Sequence, residues 1–128
     1  MARIAWIAIA TLALTGAAKA ASDPADPAML KLASTSGCLA CHHVEPGAKG
    51  PDGMAPIGPA WRDVAARYAN VPSASDDLTR TVLSGSNPYA SHWKGKASGL
   101  AMPPNAVAIK EPDARRLVTW ILGLAPNR

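Results

Sequence analysis

The first marked pattern along the chain is an almost unbroken apolar run from Ile4 to Leu14. It falls short of the roughly 20 apolar residues that a bilayer span requires. Arg3 precedes it and Ala18-Lys19-Ala20 follows it, giving the charge, length and small-x-small ending of an export leader. Cleavage is expected after Ala20, so residues 1–20 form a signal peptide and the rival reading is an uncleaved anchor. A polar tether over residues 21–25 is expected to lie loose. One domain should occupy residues 26–128.

Within that domain the apolar positions predict helices. Asp26-Pro27 reads as a capping residue followed by proline in the first turn, with Met29, Leu30 and Leu32 as the apolar side, and Gly37 ends the segment. Trp61, Val64, Ala65 and Tyr68 fall at i, i+3, i+4 and i+7, which turns one stripe inward and leaves Arg62, Asp63 and Arg67 facing water. Ser75-Asp76-Asp77 opens a third helix that carries Leu78, Val82 and Leu83 as far as Gly85. A last helix starts around Glu111-Pro112-Asp113 and runs through Leu117, Val118, Trp120, Ile121 and Leu124. Between these lie two long irregular stretches, His43 to Gly58 and Ser86 to Ala108, rich in glycine and proline. No segment alternates as a strand would. The expected fold class is all-α, four short helices joined by long loops. A loop as long as the second usually has a ligand to organise it.

Charge narrows the choice of partner. The chain of 128 residues has a formal charge of +4, which falls to +2 when Arg3 and Lys19 leave with the leader. No cluster of lysine and arginine interleaved with aromatics supports nucleic-acid binding. The remaining 108 residues are close to the size at which one hydrophobic core is only marginally sufficient. A bound group that fills the interior would make up the difference.

Cys38-Leu39-Ala40-Cys41-His42 supplies such a group. C-x-x-C-H is the attachment pattern of a covalent haem c: each cysteine adds across one vinyl group, and the adjacent histidine is carried beneath the ring to ligate iron. A redox C-x-x-C would want a βαβ context, which is missing. Zinc would need four ligands, with only His42, His43 and His92 to complete the set. A disulfide between cysteines three apart would close too small a loop to stabilise much.

With these motifs the chain resembles the small bacterial class I c-type cytochromes: monohaem, periplasmic and ligated by histidine and methionine. The likeness rests on Cys38 to His42, on Gly58-Pro59-Ala60-Trp61-Arg62-Asp63-Val64-Ala65-Ala66-Arg67-Tyr68, on Ala101-Met102-Pro103-Pro104-Asn105-Ala106-Val107, and on Leu117-Val118-Thr119-Trp120-Ile121-Leu122, in that order. The resemblance implies the class I cytochrome c fold wrapped around one haem. It implies that Pro59 offers its carbonyl to the second nitrogen of His42. Met102 would be the second axial ligand, Asn105 would hydrogen-bond near its sulfur, and Trp93 would reach a haem propionate. The first and last helices would cross, with Trp120 and Leu124 against the helix before Cys38. Both long loops look longer here than in the most compact members of the family.

The residues themselves leave Met29, Met54, His92 and an open position as rivals to Met102 for the sixth site. Met102 stands out by its Pro-Pro turn, which stiffens the backbone. Met54 is close to His42 in a glycine-rich loop, Met29 belongs to the apolar side of the first helix, and His43 reads as a surface residue. Trp61, Tyr68 and Trp120 read as core, with the added use of excluding water from the haem. The expected function is single-electron transport in the periplasm, by a non-enzymatic monomer that meets a redox donor and acceptor without membrane insertion. The alternatives are a haem subunit of a periplasmic oxidoreductase complex, and a ligand sensor or peroxidase with an open sixth site. Lys49, Lys94, Lys96 and Lys110 are solvated charge by default, with docking of an acidic partner as their functional reading.

Overall fold

Residues 21–124 are the part of the chain that the computed structural model describes. The expected signal peptide, residues 1–20, lies outside them. Four α-helices carry the regular structure: α1 (Pro27–Thr35), α2 (Trp61–Tyr68), α3 (Ala74–Ser84) and α4 (Glu111–Gly123). Single turns of 3-10 helix occur at Cys38–Ala40, Pro51–Gly53 and Pro88–Ala90. Strand character among the described residues is limited to two isolated bridges, Ser22 with Leu124 and Lys94 with Ala97. The fold is all-α, as the patterning predicts.

The start of α1 follows the predicted chemistry, whereas that of α3 does not. Asp26 accepts the N–H groups of Ala28 (2.9 Å) and Met29 (3.1 Å) on its carboxylate, and Pro27 occupies the first turn, where its missing N–H costs nothing. α3 begins at Ala74, one residue ahead of the expected Ser75, and has no side-chain cap. Asp76 and Asp77 complement the helix dipole there instead. At its far end Gly85 takes φ +84°, and its N–H closes on Thr81 O at 2.8 Å.

α4 is the hub, packing against α1, α2 and α3. Met29 and Ala33 from α1, Trp61, Val64 and Ala65 from α2, and Leu117, Trp120 and Leu124 in and beyond α4 form one buried cluster. Trp120 and Leu124 therefore join the residues of α1 in the core, as expected for crossing first and last helices.

Two expectations are corrected. Arg62 does not face water: its side chain is only 14% exposed, because Nε donates to both carboxylate oxygens of Glu45 at 2.8 Å. The pairing draws the guanidinium onto the loop that precedes α2. Nor is the tether loose. Ser22 N–H donates to Gly123 O (2.8 Å), and the indole Nε1–H of Trp120 donates to Asp23 O (2.8 Å). Both bonds fasten the start of the chain to α4.

Candidate functional site

Gly37 sits at the end of α1 with φ +76°, a left-handed turn that side chains disfavour, and the chain re-enters a single helical turn at Cys38. Cys41 N–H and His42 N–H both close on Cys38 O, at 3.2 and 3.0 Å. The turn brings Cys38, Cys41 and His42 to the lining of one cavity of about 370 Å³. That volume falls in the range of small-molecule sites, roughly 300–1,000 Å³. Burial pushes the Cys38 thiol up in pKa. The two sulfurs are not bridged to one another.

His42 is held on several sides. Its Nδ1 lies 2.8 Å from Pro59 O. A carbonyl can only accept, so Nδ1 carries the proton and the lone pair belongs to Nε2. Burial lowers the imidazole pKa and so favours the neutral ring, against the opposing pull of the Pro59 carbonyl. Gly58 explains the fit: a β-carbon there would lie 2.7 Å from Cε1, 2.8 Å from Nδ1 and 3.0 Å from Nε2 of His42. Only glycine lets the backbone come so close. Gly58 N–H donates to Cys41 O (2.8 Å) and Trp61 N–H to His43 O (2.9 Å), stitching the two strands of this loop together. Trp61 stacks on the His42 ring, with centroids 5.9 Å apart and planes 20° apart.

Met102 lines the same cavity, as do Val82 of α3 and Leu117, Val118 and Ile121 of α4. Its main chain is fixed by one residue: Met102 N–H donates to Ser86 Oγ (2.8 Å), and Met102 O accepts Ser86 N–H (2.9 Å). A β-carbon at Gly85 would crowd Met102 O and Pro104 at 3.0–3.1 Å. Asn105 donates its main-chain N–H to Val82 O (3.0 Å) and its side-chain amide to Pro103 O (2.6 Å), so it braces the turn that carries Met102.

The methionine rivals fall elsewhere. Met29 is buried in the core and Met54 is 61% exposed. Neither lines the cavity. His92 does line it, with Nδ1 2.9 Å from Tyr68 Oη. Trp93 also lines it, beneath the Arg67 guanidinium at 6.0 Å from the ring. His43 is exposed, as expected.

Gly58 and Ser86 are site residues that sequence reasoning did not single out. A Gly-Pro dipeptide signals a turn, which was a usable hint for Gly58. Ser86 offered no signal, because its partner is 16 residues away.

The donor set fits haem c. Two unbridged sulfurs, a neutral imidazole with Nε2 free to bind iron, and a thioether share one largely apolar cavity. Among the described residues no group of three or more His, Cys, Asp or Glu could hold a bare metal ion.

Comparison with known proteins agrees. The family described as Cytochrome c matches residues 30–125. The chain is 41% identical over 101 residues to cytochrome c-551 of Allochromatium vinosum, covering 79% of this chain and 90% of that one. It is 33% identical over 125 residues to cytochrome c-552 of Nitrosomonas europaea, covering 95% of this chain and 98% of the relative. The crystal structure of wild-type Nitrosomonas europaea cytochrome c552 superposes with a TM-score of 0.56 at 35% identity, over 73% of this chain and 95% of that structure.

Proposed function

Because the chain belongs to the cytochrome c family, we propose that it is a periplasmic single-electron carrier whose one haem c is held by Cys38 and Cys41, with His42 and Met102 as axial ligands. The observation that carries this reading is the shared cavity, lined by the two cysteine sulfurs, the imidazole of His42 and the thioether of Met102. Haem bound there supplies a one-electron ferrous/ferric couple.

The chain's own residues do the rest. Pro59 O holds the Nδ1 proton of His42, which fixes the tautomer and raises the basicity of Nε2. Met102, on the cavity lining, would hold the iron through a soft sulfur that favours the ferrous state and competes with any substrate for the site. Val82, Leu117, Val118 and Ile121 keep water out. Asn105 supports the Met102 turn through Pro103, and Trp93, on the cavity wall, is the side chain assigned to a propionate.

A diffusing shuttle fits the surface better than a fixed subunit. Leu100, 84% exposed, and Ile57 are apolar residues on the cavity lining that also reach solvent. Lys94, Lys96 and Lys110 are exposed and make no ion pair among the described residues. They suit brief encounters with an acidic partner, screened by salt.

Optical spectra of the oxidised and reduced protein test the reading. Colour should stay with the polypeptide through acid-acetone extraction, and the ferric form should show a sulfur-to-iron charge-transfer band. Extractable haem would overturn the attachment, and a missing band the Met102 ligation. The rate with an acidic partner should drop with salt and with charge reversal at Lys94 and Lys96; a rate indifferent to both would remove the lysines from the docking surface.

A further inference from the structure

The segment before α1 is bonded to α4, and from there a line of contacts runs to His42. Asp23 O accepts the indole N–H of Trp120 at 2.8 Å, while its carboxylate accepts Ala25 N–H at 2.8 Å. Ser22 N–H is fastened to Gly123 O at 2.8 Å. Trp120 then meets Trp61 edge to face, with ring centroids 5.5 Å apart and planes 80° apart. Trp61 stacks on His42. Each contact is specific in geometry. Filling the core would account for the burial of both tryptophans, but a phenylalanine or leucine at position 120 would fill it as well. What only tryptophan adds there is a donor, and that donor is spent on the N-terminal segment.

We propose that residues 22–26, Trp120 and Trp61 act together as positioning residues for the His42 imidazole. The segment fixes the rotation of the Trp120 indole. The edge of Trp120 sets the plane of Trp61, and the face of Trp61 limits the tilt of the His42 ring, whose other contacts are Pro59 O and the Gly58 backbone. Through this line the first residues of the domain influence the proximal side of the haem. The inference rests on His42 being the iron ligand.

The test uses the haem-loaded protein and NMR of the His42 ring, read both as exchange of its Nδ1–H with solvent and as the iron-shifted positions of its ring protons. Three changes are compared: deletion of residues 22–25, Trp120→Phe, which keeps the ring and removes the donor, and Trp61→Leu, with Trp61→Phe as the conservative rescue. Exchange of the His42 proton should quicken about two- to tenfold in the deletion and in Trp120→Phe, the range expected from losing one aromatic or hydrogen-bond restraint. Trp61→Leu should exceed both, and Trp61→Phe should restore most of the effect. The deletion made within Trp120→Phe should add almost nothing, since both break one link. Should Trp61→Leu not load haem, the deletion and Trp120→Phe decide alone. His42 signals unchanged in both, while residues 22–26 exchange freely in Trp120→Phe, would overturn the coupling. The ligand reading fails separately, if the wild-type His42 ring protons show no shift from iron; exchange at Nδ1 would still decide the coupling.

Discussion

At His42 the ring itself is gripped, by the Gly58 backbone, the Pro59 carbonyl and the face of Trp61. At Met102 the grip falls on the main chain, through the hydroxyl and N–H of Ser86. The difference is one of freedom. An imidazole held on several sides has one orientation, whereas a methionine held by its backbone retains three rotatable side-chain bonds. Under the proposed ligation, the first arrangement would make a permanent ligand, and the second one that could be displaced without disturbing the fold.

Changes at the two walls should therefore differ in kind, and the largest effect is expected at Gly58. Gly58→Ala would put a methyl group within 3 Å of the His42 ring, and overpacking of this sort costs about 1–3 kcal/mol. A lower denaturant midpoint and an altered haem spectrum are expected; a wild-type spectrum and midpoint would mean that the loop yields easily and the ring is not gripped. Met102→Ala should leave the haem attached and the fold intact, abolish the charge-transfer band, lower the potential and let carbon monoxide bind the ferrous protein. Carbon monoxide titration checks it. A band that survives in this variant and vanishes in Met54→Ala would transfer the ligand to the other loop.

Acid separates the walls by charge. Burial disfavours the charged His42 ring, and Nε2 held on iron under the proposed ligation would take no proton, so the unfolded chain would bind the proton more readily. Stability is accordingly full above the ordinary imidazole range and falls as pH drops through it. Met102 takes no proton. A denaturant midpoint that declines from about pH 7 to about pH 5 in wild type and equally in Met102→Ala assigns the effect to the His42 wall; a flat profile would contradict the buried neutral ring. The smallest effect belongs to Ser86→Ala, which removes the hydroxyl acceptor for Met102 N–H but keeps the main-chain bond. About 1 kcal/mol of stability should be lost, with the charge-transfer band weakened more than the His42 signals move.

What the sequence made legible follows the range of the interactions. Short-range rules sufficed for the Asp26 cap, the apolar stripes, Gly37, Gly85 and the Cys38-to-His42 turn, since each is decided within about one helical turn. Arg62 escaped because its partner, Glu45, lies in a loop without periodicity. The tether escaped for the same reason at greater distance, Trp120 being 97 residues from Asp23. Ser86 looks like any loop serine until the fold returns Met102 to it.

The paired hydrogen bonds between Ser86 and Met102 also bear on the length of the loop they close. They tie off the intervening segment at its neck, so that residues 87–101 form a cassette whose length is nearly independent of where Met102 sits. Doubling such a loop costs only about 0.6 kcal/mol in closure entropy. A change of length at the exposed tip of the cassette would then cost little, and the surface it shows could change while Met102 stays where Ser86 holds it.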